Sequence, residues 1–175
     1  HLHMPIMEPS TFQEVKDWIK IALELSAHAN LYVGYLVTTN QVEGGGTVTV
    51  YPNKNPAINA LHPYELDTAQ IPLEETVLLP PRTGKREETL DYRMKVLAAR
   101  VRDYPVNRIL YASQRTAPLG FITAGLAYNY IEQALLELGL QGTIPILKLG
   151  LTYPIDEELL REFVMQMEEV VVVEE

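Results

Sequence analysis

From Leu119 to Val173 the chain alternates apolar runs of strand length with amphipathic stretches of helix length, almost without spacer. Leu119–Thr123 is a short apolar run, broken by Ala124 and Gly125. Leu126–Leu138 carries its apolar residues at helical spacing, Gly139–Gly142 turns, and Ile144–Leu149 is a second apolar run. Asp156–Met167 reads as another amphipathic helix and Val170–Val173 as a third strand. Strands alternating with helices of about three turns need crossover connections, which predicts a sheet covered on both faces. The expected fold class is α/β, with three αβα layers around a parallel or mixed sheet. Only Glu174 and Glu175 follow the last strand, and the chain is expected to be an excised piece of a longer protein.

The N-terminal part begins with Glu8-Pro9-Ser10 leading into a helix over 11–27. Ser10 and Gln13 have the spacing of a capping box. Phe12, Val15, Trp18, Ile19, Ala22 and Leu25 recur on one face. Leu31–Thr38 is apolar and β-branched and predicts a strand. Residues 40–86 are different in character: Gly44-Gly45-Gly46 and prolines at 52, 56, 63, 72, 80 and 81 leave room for one short strand, Val48–Tyr51. A linker or irregular arm is expected there, and residues 40–77 are expected to pack less well than 105–175. Periodicity resumes in a helix over 87–103, lined by Leu90, Met94, Leu97, Ala98 and Val101, and Arg108–Ala112 predicts the next strand. His1–Met4 has the form of a cloning scar and is set aside.

Composition narrows the function. A formal charge of −9 argues against sequence-independent nucleic-acid binding, which needs clustered cations; only Arg82, Lys85 and Arg86 group together. No apolar run has membrane-spanning length and no signal peptide is evident, so no membrane and a cytoplasmic location are expected. Cysteine is absent. This removes disulfides, thiol nucleophiles and thiolate ligation of iron–sulfur clusters by this chain.

The best local candidate for a ligand site is Thr123, Ala124 and Gly125, where a strand passes into a helix. A helix N-terminus offers unpaired N–H groups and partial positive charge, which suits phosphate or carboxylate. The alternative is that Thr123 merely caps the helix while Gly125 allows close packing. Neither G-x-G-x-x-G nor G-x-x-x-x-G-K-[ST] occurs, and the triple glycine lacks a strand-to-helix context. His28 and His62 stand alone without metal-ligand spacing and are expected in loops. Ser10, Ser26 and Ser113 lack a nucleophile elbow. Tyr128 and Tyr130 lie on opposite sides of their helix, so at least one is expected to pack in a core or interface. Glu157 and Glu158 read as a solvated helix start. No metal site or catalytic constellation is expected in this chain.

Gly120-Phe121-Ile122-Thr123-Ala124-Gly125-Leu126-Ala127-Tyr128 resembles the G-[IF]-I-T-[AS]-G-x-A-Y segment of the alpha subunit of indolepyruvate ferredoxin oxidoreductase. Leu147-Lys148-Leu149-Gly150, Tyr153-Pro154, Leu160-Arg161-Glu162-Phe163 and the Val172-Val173-Glu174-Glu175 ending look like the same subunit in order and spacing. Leu79-Pro80-Pro81 and Pro105-Val106-Asn107-Arg108 also fit, and Glu8-Pro9-Ser10 through Leu25-Ser26 is similar to the end of that subunit's first domain. The resemblance covers roughly 5–39 and 78–175 and departs from the pattern at Asn40, where the family tends to have arginine.

The resemblance implies an internal fragment: residues 1–39 closing a pyrimidine-binding domain, 40–77 an irregular linker, and 78–175 a transketolase C-terminal-like domain. It implies a parent enzyme that uses thiamine diphosphate, magnesium, iron–sulfur clusters and coenzyme A to decarboxylate aryl pyruvates oxidatively. Its partners would be the other alpha-subunit domains, a smaller beta subunit and ferredoxin. This stretch is expected to hold none of the cofactors and to be inactive alone. The rival expectation is a free-standing α/β binding or regulatory domain without redox activity.

Overall fold

The computed structural model describes residues 3–52, 61, 63, 65, 67–72, 79–112 and 116–175. They fall into two compact units, one formed by 1–48 with 93–175, the other by 49–92.

The larger unit starts with a two-residue strand, β1 (Ile6–Met7), then helix α1 (Phe12–Ala29), strand β2 (Gly34–Tyr35) and the short helix α2 (Thr39–Glu43). Helix α1 begins one residue later than the predicted capping box implies. Thr11 is the cap, its hydroxyl accepting from the Glu14 N–H at 3.2 Å. The returning acceptor is Glu14, not Gln13: its Oε2 takes the Ser10 N–H at 2.9 Å. Ser10 itself is buried with its hydroxyl unpartnered. The strand predicted over 31–38 shrinks to β2 because its partner β1 has only two residues. The ladder ends with Leu36 N–H on the Met7 carbonyl, after which Thr38 opens α2.

In the smaller unit the described residues include a 3-10 turn at Thr68–Gln70 and helix α3 (Arg82–Glu88). No strand forms at Val48–Tyr51, and no described residue of 40–77 joins either sheet. The single helix predicted over 87–103 is instead two, α3 and α4 (Leu90–Val101), the latter belonging to the larger unit from Arg93 onward. Thr89 separates them, its hydroxyl donating back to the Arg86 carbonyl at 2.8 Å. Such local back-bonding competes with helix continuation.

The remainder follows the predicted order with one unpredicted strand, β6, inserted: β3 (Arg108–Leu110), β4 (Gly120–Ala124), α5 (Ala127–Glu137), β5 (Ile146–Leu149), β6 (Leu151–Tyr153), α6 (Glu157–Val164) and β7 (Val170–Val173). Strands β3-β5-β4-β7 form one sheet, parallel at β5–β4 and β4–β7 and antiparallel at β3–β5. Alternate residues of β4 and β5 face opposite ways. Ile122, Leu147 and Leu149 pack with Phe163 of α6, whereas Ile146 packs with Ile131 and Leu135 of α5, joined by Phe121. Helices therefore cover both faces, which gives the expected three-layer αβα arrangement with a mixed sheet. A second sheet, β2-β1-β6, pairs β1 in parallel with β2 and antiparallel with β6. The N-terminal strands β1 and β2 thus share a sheet with β6, the segment directly following β5.

Candidate functional site

The carboxyl ends of four strands from both sheets meet at one cleft of about 380 Å³. Glu8 and Pro9 follow β1, Leu36 and Thr38 follow β2, Gly125 and Leu126 follow β4, and Glu174 and Glu175 follow β7. Gln41 of α2 and Thr152 of β6 complete the polar lining. Ligands of open α/β sheets collect in such places, because strand ends leave backbone groups unpaired.

Of the three candidate residues, Ala124 and Gly125 line this cleft and Thr123 does not. Gly125 adopts a φ of +51°, the left-handed region that a Cβ disfavours, and turns the chain from β4 into α5. The nearest anion is the protein's own: a Cβ on Gly125 would lie 3.3 Å from Glu8 Oε2. Glu174 and Glu175 bring the lining to three carboxylates, with no basic residue beside them.

Thr123 is not the helix cap. The residue at the cap position is Leu126, and α5 starts without a side-chain cap. Thr123 is 2% exposed and its hydroxyl has no partner. Thr123→Val, which keeps the shape and removes the buried hydroxyl, should raise stability by about 1 kcal/mol. Urea denaturation of the two proteins checks this.

The cleft wall at Glu8–Ser10 is braced from several elements. Glu8 N–H bonds the Gly150 carbonyl at 2.8 Å, and the Thr152 hydroxyl donates to Glu8 Oε1 at 2.7 Å. Gln41 Nε2 donates to the Pro9 carbonyl and Asn129 Nδ2 to that of Ser10, each at 2.7 Å. Behind the wall lies a buried ionic group that the sequence reading missed. Lys148 of β5 and Arg108 of β3 both reach Glu14 Oε1, at 2.6 and 2.8 Å. Burial pushes the Lys148 ammonium below its ordinary pKa, against the pull of Glu14. The Tyr35 phenol donates to the carbonyls of Glu14 and Val15, both at 3.0 Å, and burial raises its pKa. The available signal was a lysine inside an otherwise apolar buried run, which demands a counterion.

A second recess of about 290 Å³ is lined by Arg102, Tyr104, Asn107, Asp156 and Glu158, among others. Asp156, expected as the first residue of a helix, is its cap, accepting from the Leu159 N–H at 3.2 Å. Arg102 grips it through Nε and Nη2 at 2.8 and 2.6 Å and reaches Glu158 at 2.6 Å. Glu158 is thus paired as well as helix-initial. Burial alone would raise the Asp156 carboxyl, but the bonds from Arg102 and Leu159 outweigh it and hold the pKa below the usual range. A lowered carboxylate contributes stability that is complete above its unfolded value of about 4 and drains as pH falls through the lower folded value. The stabilities of wild type and Asp156→Asn should therefore converge in acid, as followed by urea midpoints from neutral pH downward.

The other expected residues stay apart from the cleft. His28 is exposed in the last turn of α1, not in a loop; His62 and Ser113 lie outside the described residues. Tyr128 packs with its ring 4.2 Å from the Lys148 ammonium, while Tyr130 is exposed. Among the described residues no cluster of His, Asp and Glu could hold a metal ion, and no helix is long and apolar enough to cross a membrane. With no cysteine in the sequence, the donor set does not fit a thiolate-bound cluster.

A family model described as "Indolepyruvate oxidoreductase domain" matches residues 109–175. The protein named "Indolepyruvate oxidoreductase subunit IorA" from Methanothermobacter thermautotrophicus is 34% identical over 98% of this chain and 26% of its own length. Proteins of the same name from Archaeoglobus fulgidus and Pyrococcus abyssi are each 29% identical, over 98% and 99% of this chain and 26% of their own lengths. The chain thus spans about a quarter of the length of the curated relatives it matches. Among solved structures, a 2-oxoglutarate:ferredoxin oxidoreductase from Magnetococcus marinus aligns with a TM-score of 0.56, covering 97% of this chain and 34% of that one. Identity there is 12%, so the likeness concerns fold. Residues 109–175 thus match the indolepyruvate oxidoreductase domain model, and nearly the whole chain is similar to about a quarter of the IorA subunit.

Proposed function

We propose that this chain is a non-catalytic structural domain of the alpha subunit of a thiamine diphosphate-dependent indolepyruvate:ferredoxin oxidoreductase. The enzyme as a whole would convert aryl pyruvates to acyl-CoA while reducing ferredoxin. The observation that carries the reading is identity spread over 98% of the chain, not confined to one motif. The absence of cysteine from the sequence, which removes thiolate ligation of iron–sulfur clusters by this chain, supports a role in packing and orienting other domains. In this reading residues 1–39 close the pyrimidine-binding domain, 40–77 form a linker, and 78–175 are the transketolase C-terminal-like domain. Thiamine diphosphate, magnesium and iron–sulfur clusters sit elsewhere in the alpha subunit, a smaller beta subunit completes the enzyme, and the assembly works in the cytoplasm.

The test is to express the complete gene containing this sequence with its neighbouring small-subunit gene. The expected result is indolepyruvate- and coenzyme A-dependent reduction of ferredoxin by the complex and none by the 175-residue chain. A complex inactive on every aryl pyruvate tried, or activity in the isolated chain, would overturn the reading.

Anion binding at Thr123, Ala124 and Gly125 is the accompanying proposal. It is supported by the start of α5 opening onto the cleft and opposed by Glu8, Glu174 and Glu175. Phosphate should shift the Gly125 amide resonance, and more strongly after Glu8→Gln. No shift in either protein removes the site.

A further inference from the structure

Lys148 lies where a strand has little room for charge. All four residues of β5 are buried, and Lys148 is 1% exposed. Its ammonium sits 2.6 Å from Glu14 Oε1, over the ring of Tyr128 and 5.8 Å from the centre of the Trp18 ring. Both Glu14 oxygens are in use. Oε1 takes Lys148 and Arg108, while Oε2 takes the backbone N–H of Ser10. One carboxylate on α1 therefore joins β5, β3 and Ser10, the residue that precedes the helix cap Thr11.

We propose that Glu14, Arg108 and Lys148 form a charge clasp that sets the register of α1 on the sheet and so positions the Glu8–Ser10 wall of the cleft. Apolar contacts alone do not fix register. The buried apolar residues of α1 (Trp18, Ala22, Leu25 and Ala29) gain about the same burial after a small slide or rotation of the helix. A carboxylate held by donors from three directions has no such freedom, and buried polar groups are best attested in the role of specifying register. The two cations are unequal. Arg108 has a side chain 40% exposed and can swing to water, whereas Lys148 is enclosed and depends on Glu14. If α1 slips, the Glu8 bond to Gly150 and the Asn129 bond to Ser10 are lost together, although Glu14 itself does not line the cleft. Glu14 is thus a positioning residue.

Hydrogen exchange on the 175-residue chain tests the clasp against a general stabilising role. In Glu14→Gln, exchange at the Glu8 and Ser10 amides should rise about tenfold, with less than about a twofold rise in the β4–β5 ladder, because local openings are separable from global ones. A second variant, Glu14→Leu with Lys148→Met, replaces the buried pair by apolar side chains and should remain stable. Its Glu8 amide, whose acceptor is the Gly150 carbonyl and not Glu14, should still exchange fast, since the register determinant is gone. A uniform rise across the chain in Glu14→Gln, or slow exchange restored at Glu8 in the double variant, would overturn the proposal. Should Glu14→Gln not fold, the double variant decides alone. If both variants unfold, the carboxylate is a general stabiliser and the clasp is rejected.

Discussion

Replacing Gly150 with alanine should lower the stability of the chain by about 3 kcal/mol, the upper end of the usual cost of overpacking. Gly150 stands where the chain leaves β5 in one sheet and enters β6 in the other. A methyl group there would lie 2.5 and 2.6 Å from Cη2 and Cζ3 of Trp18 and 2.6 Å from the Val106 carbonyl oxygen. Neither neighbour yields easily. Trp18 is 4% exposed and packed in the core. The Val106 carbonyl precedes Asn107, whose Oδ1 accepts from the N–H groups of both Gly150 and Leu151 at 2.9 Å. Moving the carbonyl away strains these two bonds, and holding them keeps the clash. Urea denaturation followed by Trp18 fluorescence should show a lower midpoint with an unchanged slope. A cost under about 0.5 kcal/mol, the range of ordinary surface changes, would mean that Trp18 repacks freely and this packing account is wrong.

A comparable loss, about 3–5 kcal/mol, is expected for Phe163→Ala. Phe163 is fully buried and is the contribution of α6 to the cluster with Ile122, Leu147 and Leu149. Leu159, Leu160 and Met167 surround it from its own segment, so the layer under the sheet is organised around one ring. Truncation removes the ring's transfer energy and leaves a cavity that strands on one side and a helix on the other cannot both close. Exposed Glu162, its neighbour, serves as the control, and Glu162→Ala should change stability by less than about 0.5 kcal/mol. Thermal unfolding of the three proteins makes the comparison. Equal midpoints for Phe163→Ala and Glu162→Ala would show that α6 contributes little to the layer.

The sequence displays the C-terminal elements well. Their apolar spacing is long enough to choose between periods of 2 and 3.6, and β4, α5, β5, α6 and β7 all appear where predicted, with ends shifted by up to three residues. It hides β1 and β6, because strands of two or three residues have no periodicity and exist through their pairing. The predicted strand 31–38 fails for the converse reason: its residues suit a strand, but only Gly34 and Tyr35 stand in register opposite β1, with one closing bond from Leu36. At the cleft, Gly125 is legible from the break between strand and helix. Glu8, Thr38 and Gln41 are not, because only the pairing of β1 with β2 and β6 brings residues so distant in sequence to the end of β4. Thr123 does not reach the cap position, the alternative its sequence context offers, because the turn takes up Gly125 and Leu126 before α5 begins.

Strand β7 is an edge of its sheet among the described residues, pairing only with β4, and its Val172 is 59% exposed. Four consecutive valines with free ladder groups are the kind of segment that recruits other chains into intermolecular sheets. The sequence brackets them symmetrically, Glu168-Glu169 before and Glu174-Glu175 after. A second copy stacked in register would bring like charges together at both ends of the strand, so solubility here is guarded by electrostatic gatekeepers. The same carboxylates at 174 and 175 that make the cleft unfavourable for anions thus also act as a barrier to self-association.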